Sequence, residues 1–254
     1  MSPRTRRTRR KRRRGWGIVL GLLSVCVAVV WASAFLLLRP APAPRAAVPT
    51  VEPSPSVTVA PDEPLPIFAR AGGIALHLSS PNVLAVAFHE ASMSDAVTLR
   101  PTGVCVVCRN RAKFDPPPAE DPDLEYLVLD PRGRSQEATS AVDLVMPRGT
   151  VVLSPVTGTV VSVKRYRLYY QYPDVRVEIR PEGVPDRRVV VIHLEHVSLQ
   201  KGQEVETSVT PLGTVRRFPF ESQVDRYIKG TYPHVHLEVK RPAHGRRDEK
   251  SPKD

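Results

Sequence analysis

The sequence has 254 residues, with 37 Lys and Arg, 26 Asp and Glu, and a formal net charge of +11. Nine of the basic residues and none of the acidic ones lie in residues 1–14, which leaves 28 basic and 26 acidic residues in the rest of the chain. A nucleic-acid-binding domain spreads its basic residues over a folded face. The distribution therefore argues against nucleic acid as a partner.

An uncharged apolar stretch follows the basic segment directly, GWGIVLGLLSVCVAVVWASAFLLL, residues 15–38. It is long enough to cross a hydrocarbon core about 30 Å thick. The excess of Lys and Arg on its N-terminal side predicts that residues 1–14 stay in the cytoplasm. A cleaved signal peptide is the alternative, because residues 32–34 (Ala-Ser-Ala) resemble a cleavage box, but the apolar run continues beyond them. We therefore predict a single-pass protein of the cell membrane whose C-terminal part is extracytoplasmic.

Proline dominates the next segment, residues 39–66, with nine prolines between positions 40 and 66. Such a composition favours extended polyproline geometry, at about 3.1 Å per residue, and cannot build a core. We predict a linker that holds a folded domain up to about 80 Å from the membrane. A generic disordered linker is the alternative.

Short apolar runs separated by turn residues begin at Ile67, and we predict a small β module over residues 67–125. This module contains Cys105 and Cys108, in VCVVCRN. Outside the cytoplasm a disulfide between them is favoured over free thiols or metal ligands. Residues three apart on a flat strand face opposite ways, so the bridge requires a turn between them.

Residues 126–242 alternate strand-like segments with glycine-containing turns and show no helical periodicity. This pattern predicts an all-β domain. A polar tail, residues 243–254, follows it.

The segment PHVHLEV near the end of this domain has two distinct faces. Side chains of a strand alternate, so three apolar residues share one face and three polar residues the other: Val235, Leu237 and Val239 against His234, His236 and Glu238. Two imidazoles on one face can both reach a metal ion and its bound water.

Two other strands carry matching polar residues. Asp143 lies within the apolar run AVDLV, where an unpaired acid is costly. In RVVVIHLE, alternation predicts that His193 leaves the core, with Ile192 and Leu194 facing it. Aspartate and histidines converging from separate strands predict a zinc site with an open position, which activates water, and a further histidine acting as a base or oxyanion donor.

The order of these segments resembles the β-sheet core of the lysostaphin-type (LytM-like) peptidoglycan endopeptidases. The matching motifs are VDL at 142–144 before PRGT at 147–150, SPVTGTV at 154–160, VIHL at 191–194 and PHVHLEV at 233–239. The resemblance covers about residues 126–241. It implies a LytM-like all-β sheet core (a duplicated hybrid motif, barrel-sandwich-like) and zinc-dependent hydrolysis of peptides in the peptidoglycan cell wall.

Carried over position by position, the resemblance implies specific roles for four residues. Asp143 and His236 match metal ligands. His193 and His234 match the two catalytic histidines that act on the attacking water and the developing oxyanion.

The chain departs from the family at the first metal ligand, a histidine four residues before the aspartate, which falls on Thr139. On extended backbone Thr139 would face the site, but a threonine hydroxyl is a poor zinc ligand, and catalytic zinc normally keeps three protein ligands. We therefore expect a degenerate metalloendopeptidase, with zinc weakly bound or absent, that serves as a binding or regulatory scaffold for peptidoglycan peptides or a cell-wall protein partner. The alternative is an active zinc endopeptidase whose third ligand is His89, His77 or Glu137.

Overall fold

The computed structural model describes residues 63–92 and 94–242. The predictions for residues 1–14, 15–38 and 243–254, and for most of the Pro-rich linker, lie outside these ranges. In the part of the chain that is described, no helix has both the length and the apolar character needed to span a membrane.

The described residues are almost entirely β. The N-terminal strands are β1 (Ile67–Ala71), β2 (Ile74–His77), β3 (Ala85–His89), β4 (Arg100–Pro101), β5 (Val104–Cys108), β6 (Glu125–Val128) and β7 (Ala141–Val145). The C-terminal strands are β8 (Val151–Leu153), β9 (Gly158–Leu168), β10 (Tyr172–Pro181), β11 (Arg188–Glu195), β12 (Glu204–Val205), β13 (Pro211–Val215) and β14 (His234–Lys240). A short 3₁₀-helix, η1 (Gln223–Arg226), precedes β14. The predicted all-β fold class is confirmed.

Two sheets contain these strands. The larger has the order β12-β9-β10-β11-β14-β7-β3-β6-β5, with β13 pairing with β11 and β8, and the smaller has the order β2-β1-β4. In the larger sheet β14 lies between β11 and β7 and is antiparallel to both. The three strands that carry the predicted site residues are therefore neighbours.

Strand pairing crosses the boundary predicted at residue 125. β3 pairs antiparallel with β7 and parallel with β6, and β6 in turn pairs with β5. One buried apolar cluster includes Phe88 of β3, Val142 of β7 and Val235 of β14. Residues 67–125 and 126–242 therefore share a sheet and a hydrophobic core.

Cys105 and Cys108 are joined by a disulfide within β5, with their Cα atoms 6.0 Å apart. The spacing of the two cysteines predicted a turn between them. Instead, the register of β5 against β6 shifts between Cys105 and Val107, as it does at a β-bulge. A bulge changes the direction of the side chains that follow it, so both sulfurs reach one side while β5 remains a strand.

The shared core predicts that a cavity in β3 destabilises the whole folded unit. The Phe88 ring packs edge-on against Tyr126, with ring centroids 5.4 Å apart, and Phe88 is fully buried. Phe88→Ala should lower the free energy of unfolding by about 3–5 kcal/mol. Urea denaturation followed by tyrosine fluorescence and by circular dichroism measures the change.

The control is Val106→Ala, because Val106 is 47% exposed. It should change the stability by less than about 0.5 kcal/mol. Two separate unfolding transitions, of which Phe88→Ala shifts only the first, would contradict a common core.

Candidate metal centre

The register of β14 against β7 places His236 directly opposite Asp143. Directly opposed residues of antiparallel strands project from the same face of the sheet. His236 Nδ1 lies 2.9 Å from Asp143 Oδ1. The apolar face predicted for PHVHLEV is confirmed, since Val235, Leu237 and Val239 all lie in the core.

Strand β3 brings His89 to the same place. Ala87 lies opposite Asp143, and His89, two residues further along β3, shares its face. Such diagonal cross-strand neighbours are within reach of long side chains. His89 Nε2 lies 3.0 Å from Asp143 Oδ1, and the ring stacks on His236 with centroids 5.1 Å apart. An imidazole from a different strand therefore lies beside the carboxylate of Asp143 and the imidazole of His236.

Both imidazoles are oriented through their second ring nitrogen. His89 Nδ1–H donates to the backbone carbonyl of Glu90 at 3.0 Å. His236 Nε2–H donates to Glu238 Oε1, also at 3.0 Å. Hydrogen bonds of this kind fix the tautomer and the ring orientation of metal-binding histidines. They leave His89 Nε2 and His236 Nδ1 to face Asp143.

The donor set fits zinc. His89 Nε2 is buried and, despite its closeness to Asp143, has no hydrogen-bond partner among the described residues. A buried polar atom without a partner is costly, and an ion would satisfy it. The candidate ligand atoms of His89, Asp143 and His236 all lie within 4.8 Å of one another. Two imidazole nitrogens and one carboxylate oxygen are a donor set of catalytic zinc, which keeps a further position open.

The electrostatics of the cluster favour a cation. Burial is the largest influence on the Asp143 carboxyl and raises its pKa, but the imidazoles of His234 and His89 help to bring the pKa well below the ordinary value. Burial is also the largest influence on His236 and lowers its pKa. Hydrogen bonds to Asp143 and Glu238 outweigh it and raise the pKa of His236 to about 9. The centre is therefore built around buried negative charge.

His193 reaches this site through a β-bulge in β11. Between two successive pairs with β10, β11 contains one more residue than its partner, and His193 has a φ of 71°. The extra residue interrupts the alternation of side chains. Val191 and Leu194 are both buried in the core, whereas Ile192 and His193 line the cavity at the site. The prediction that Ile192 faces the core is wrong for this reason.

A buried carboxylate that no sequence pattern indicated, Asp174 of β10, orients His193. His193 Nδ1–H donates to Asp174 Oδ2 at 2.7 Å. The same carboxylate accepts hydrogen bonds from the Tyr166 hydroxyl and the Val175 backbone, each at 2.8 Å. Burial outweighs the carboxylate and lowers the pKa of His193, so the ring is neutral with a free lone pair on Nε2. Asp174 gave no signal like that of Asp143, because it lies in YPDVRVEIRP, a segment in which charged and apolar residues alternate.

His234 completes the group of imidazoles. Its ring meets that of His193 edge-on, with centroids 5.5 Å apart, and its Nε2 lies 3.7 Å from Asp143 Oδ1. Burial lowers the pKa of His234 to about 3, so its imidazole is neutral. Its Nδ1 is buried and lacks a hydrogen-bond partner in the described part of the chain. Phe218 packs against both rings, at 4.8 Å from His193 and 4.6 Å from His234.

The other residues considered for the first ligand do not join His89 at the site. Thr139 is buried in a turn before β7, rather than on extended backbone, and does not line the cavity beside the ligands. Glu137 is exposed. His77 belongs to β2 of the smaller sheet, where its Nδ1 contacts the Leu65 carbonyl.

Comparisons with known proteins give structural likenesses only. No family model matches the chain, and no curated protein matches it. Among solved structures it is similar to lysostaphin, at 18% identity over 42% of this chain and 38% of that one, with a TM-score of 0.31. It is also similar to the catalytic domain of a mutant of the prophage-encoded M23 protein EnpA from Enterococcus faecalis, at 16% identity over 67% and 88%, with a TM-score of 0.34.

A third similar structure is a zinc-containing peptidase from Vibrio cholerae, at 20% identity over 40% of this chain and 26% of that one, with a TM-score of 0.28. The chain thus spans well under half the length of lysostaphin and of the Vibrio peptidase. The case for a function rests on the side chains of the site.

Loss of any of the three candidate ligands should weaken zinc binding. His89→Ala, Asp143→Ala and His236→Ala should each lower the zinc affinity of the full chain by more than about 100-fold, because two ligands remain. Glu238→Gln replaces the charged acceptor of an orienting hydrogen bond with a neutral one and should cost about 10- to 100-fold. Competition with a chromophoric zinc chelator measures all four.

Thr139 provides the matched control. Thr139→Ala should leave zinc affinity unchanged, and Thr139→His should not raise it, because the third ligand is already present. An affinity gain in Thr139→His together with no loss in His89→Ala would show that the ligand set is wrong.

Proposed function

We propose that the chain is a zinc-dependent endopeptidase acting on peptides of the cell wall, with the metal held by His89, Asp143 and His236. The observation that carries the proposal is the buried Nε2 of His89, which lies 3.0 Å from Asp143 Oδ1 and has no hydrogen-bond partner among the described residues. It supplies the ligand that the family motif lacks at Thr139. The active enzyme with a ligand from elsewhere is therefore favoured over the degenerate scaffold.

The residues around the metal ligands are suited to proton transfer. When bound, zinc would supply a Lewis acid that polarises the scissile carbonyl and favours deprotonation of the attacking water. His193 Nε2, free because Nδ1–H is donated to Asp174, accepts the proton of that water. The Asp174 carboxylate keeps the ring in this tautomer and stabilises the imidazolium that forms.

His234 is placed to stabilise the oxygen that becomes negative. It is a neutral imidazole in the wall of the cavity, and one of its ring nitrogens carries a proton to donate. Burial behind Phe218 keeps water from competing for that hydrogen bond. Donors held in advance at such a site cost no reorganisation as charge develops.

We expect the zinc-loaded chain to cleave cross-linked muropeptides. Chromatography and mass spectrometry of the products measure this cleavage. His193→Ala and Asp174→Asn should lower kcat by about 10²- to 10⁴-fold, because both remove the oriented base. Their zinc affinity should stay close to that of the wild type. Thr139→Ala is the control that retains activity.

A wild-type chain that holds one zinc ion and cleaves no muropeptide would favour the degenerate scaffold instead. Loss of zinc in Asp174→Asn would mean that Asp174 supports the metal rather than the base.

We also propose that residues 15–38 anchor the protein in the cell membrane with residues 63–242 outside the cytoplasm. The support is the uncharged stretch and the basic residues that precede it. Protease added to intact spheroplasts should degrade the β domain and spare an epitope placed at residue 1. Protection of the β domain would contradict this topology.

A further inference from the structure

A cavity of about 670 Å³ opens beside the candidate metal ligands, and one of its walls is basic. Asp143, His193, His234 and His236 contribute to the lining at the metal centre. The basic wall, which we call the arginine wall, consists of Arg132, Arg134 and Arg226.

A buried carboxylate, Glu90, holds the loop that carries two of these arginines. Glu90 Oε2 accepts hydrogen bonds from the backbone N–H groups of Arg132 at 3.1 Å and Arg134 at 2.8 Å. Its other oxygen accepts from Lys113 at 2.7 Å, and that contact neutralises its charge. Since Glu90 follows His89 directly, the arginine wall is fixed relative to the metal centre before any ligand binds.

The 3₁₀-helix η1 is tied to the same loop and brings the third arginine. Gln223 donates from Nε2 to the Asp130 carbonyl at 3.0 Å and accepts a hydrogen bond from Arg132 Nε. Tyr227 also contacts the Asp130 side chain. These contacts hold Arg226, the last residue of η1, at the rim of the cavity.

The protein balances the charges of the arginine wall only in part. Within residues 63–92 and 94–242, Arg134 and Arg226 form no ion pair with a carboxylate, and Arg132 NH2 lies 3.7 Å from Asp143 Oδ2. The carboxylates that line the cavity are Asp143 and Glu221. A metal ion bound to Asp143 would compete with Arg132 for the negative charge of the carboxylate. The arginine wall would then carry an excess of positive charge.

We propose that the arginine wall binds a free carboxylate of the peptide substrate, at or next to the residue whose bond is cleaved. This inference rests on the proposed peptidase function of the same site. Guanidinium groups bind carboxylates through paired, charge-assisted hydrogen bonds. One extended residue spans about 3.3–3.6 Å, so a carboxylate bound at Arg132, beside Asp143, belongs to a residue close to the metal centre. The substrate class is an acidic peptide, such as a stem peptide whose side carboxylates are not amidated.

The test compares binding of one stem tetrapeptide with the same peptide in which each free carboxylate is amidated in turn. Isothermal titration calorimetry with the zinc-loaded full chain measures each affinity, and in this assay the wild type and every arginine variant carry His193→Ala so that no peptide is cleaved. One amidation should weaken binding by about 10- to 100-fold, as expected for a lost charge-assisted hydrogen bond. The Arg132→Gln variant should bind the more weakly bound amidated peptide with wild-type affinity. It should lose most of the preference for the peptide with the free carboxylate.

Arg134→Gln and Arg226→Gln should lose part of the same preference. Arg148→Gln, which changes an exposed arginine outside the cavity, is the matched control and should keep all of it. The melting temperature and zinc affinity of each variant show that the fold and the metal centre are retained.

Equal affinity of the wild type for the acid and for every amide would overturn the inference, as would no measurable binding of any form. An Arg132→Gln variant that weakens acid and amide equally would also overturn it. Tighter binding of the free acid than of its amide, together with no cleavage of any peptide by the chain that retains His193, would support the arginine wall. The same result would contradict the proposed peptidase activity.

Discussion

The pairing of β3 with β7 is the contact on which the candidate metal centre depends. It sets Ala87 opposite Asp143 and so brings His89 onto the face where β14 already places His236. A metal ion requires donor atoms that are close together in space, and their order along the chain does not matter. A histidine from an earlier strand can therefore stand where the family motif has one on the strand of the aspartate. Without the β3–β7 register, the candidate site would have two metal ligands, Asp143 and His236, and would lack a third.

Buried carboxylates give the rest of the site its rigidity. Asp174 orients His193, Glu238 orients His236, and Glu90 fixes the loop of the arginine wall. Each acid is buried at a cost that only such partners offset. Each also determines which atom of its partner faces the cavity, so the same contacts that make burial tolerable define the chemistry.

Local alternation was sufficient to predict part of this arrangement. The two faces of PHVHLEV follow from the strand period alone, and Asp143 was conspicuous as an acid in an apolar run. The same rule failed at Ile192 and His193, because a β-bulge is invisible to a pattern that assumes a regular strand. It failed at Thr139 because the chain turns there instead of remaining extended.

The sequence indicated His89 as one possible third ligand, beside His77 and Glu137, but could not distinguish among the three. Its position depends on which strand pairs with β7 and in which register, and a shift of one residue would turn His89 to the opposite face. That pairing is set by packing of Phe88 and its neighbours across the whole sheet. Non-local register of this kind is decided by the complete core rather than by any short motif.

Anomalous X-ray scattering at the zinc edge, from crystals of the zinc-loaded protein, would locate the metal relative to His89. We expect one zinc ion about 2.0–2.1 Å from both His89 Nε2 and His236 Nδ1, and about 2.0–2.2 Å from an Asp143 oxygen. A zinc ion held by Asp143 and His236 with His89 outside bonding distance, or a site with no anomalous signal, would contradict it.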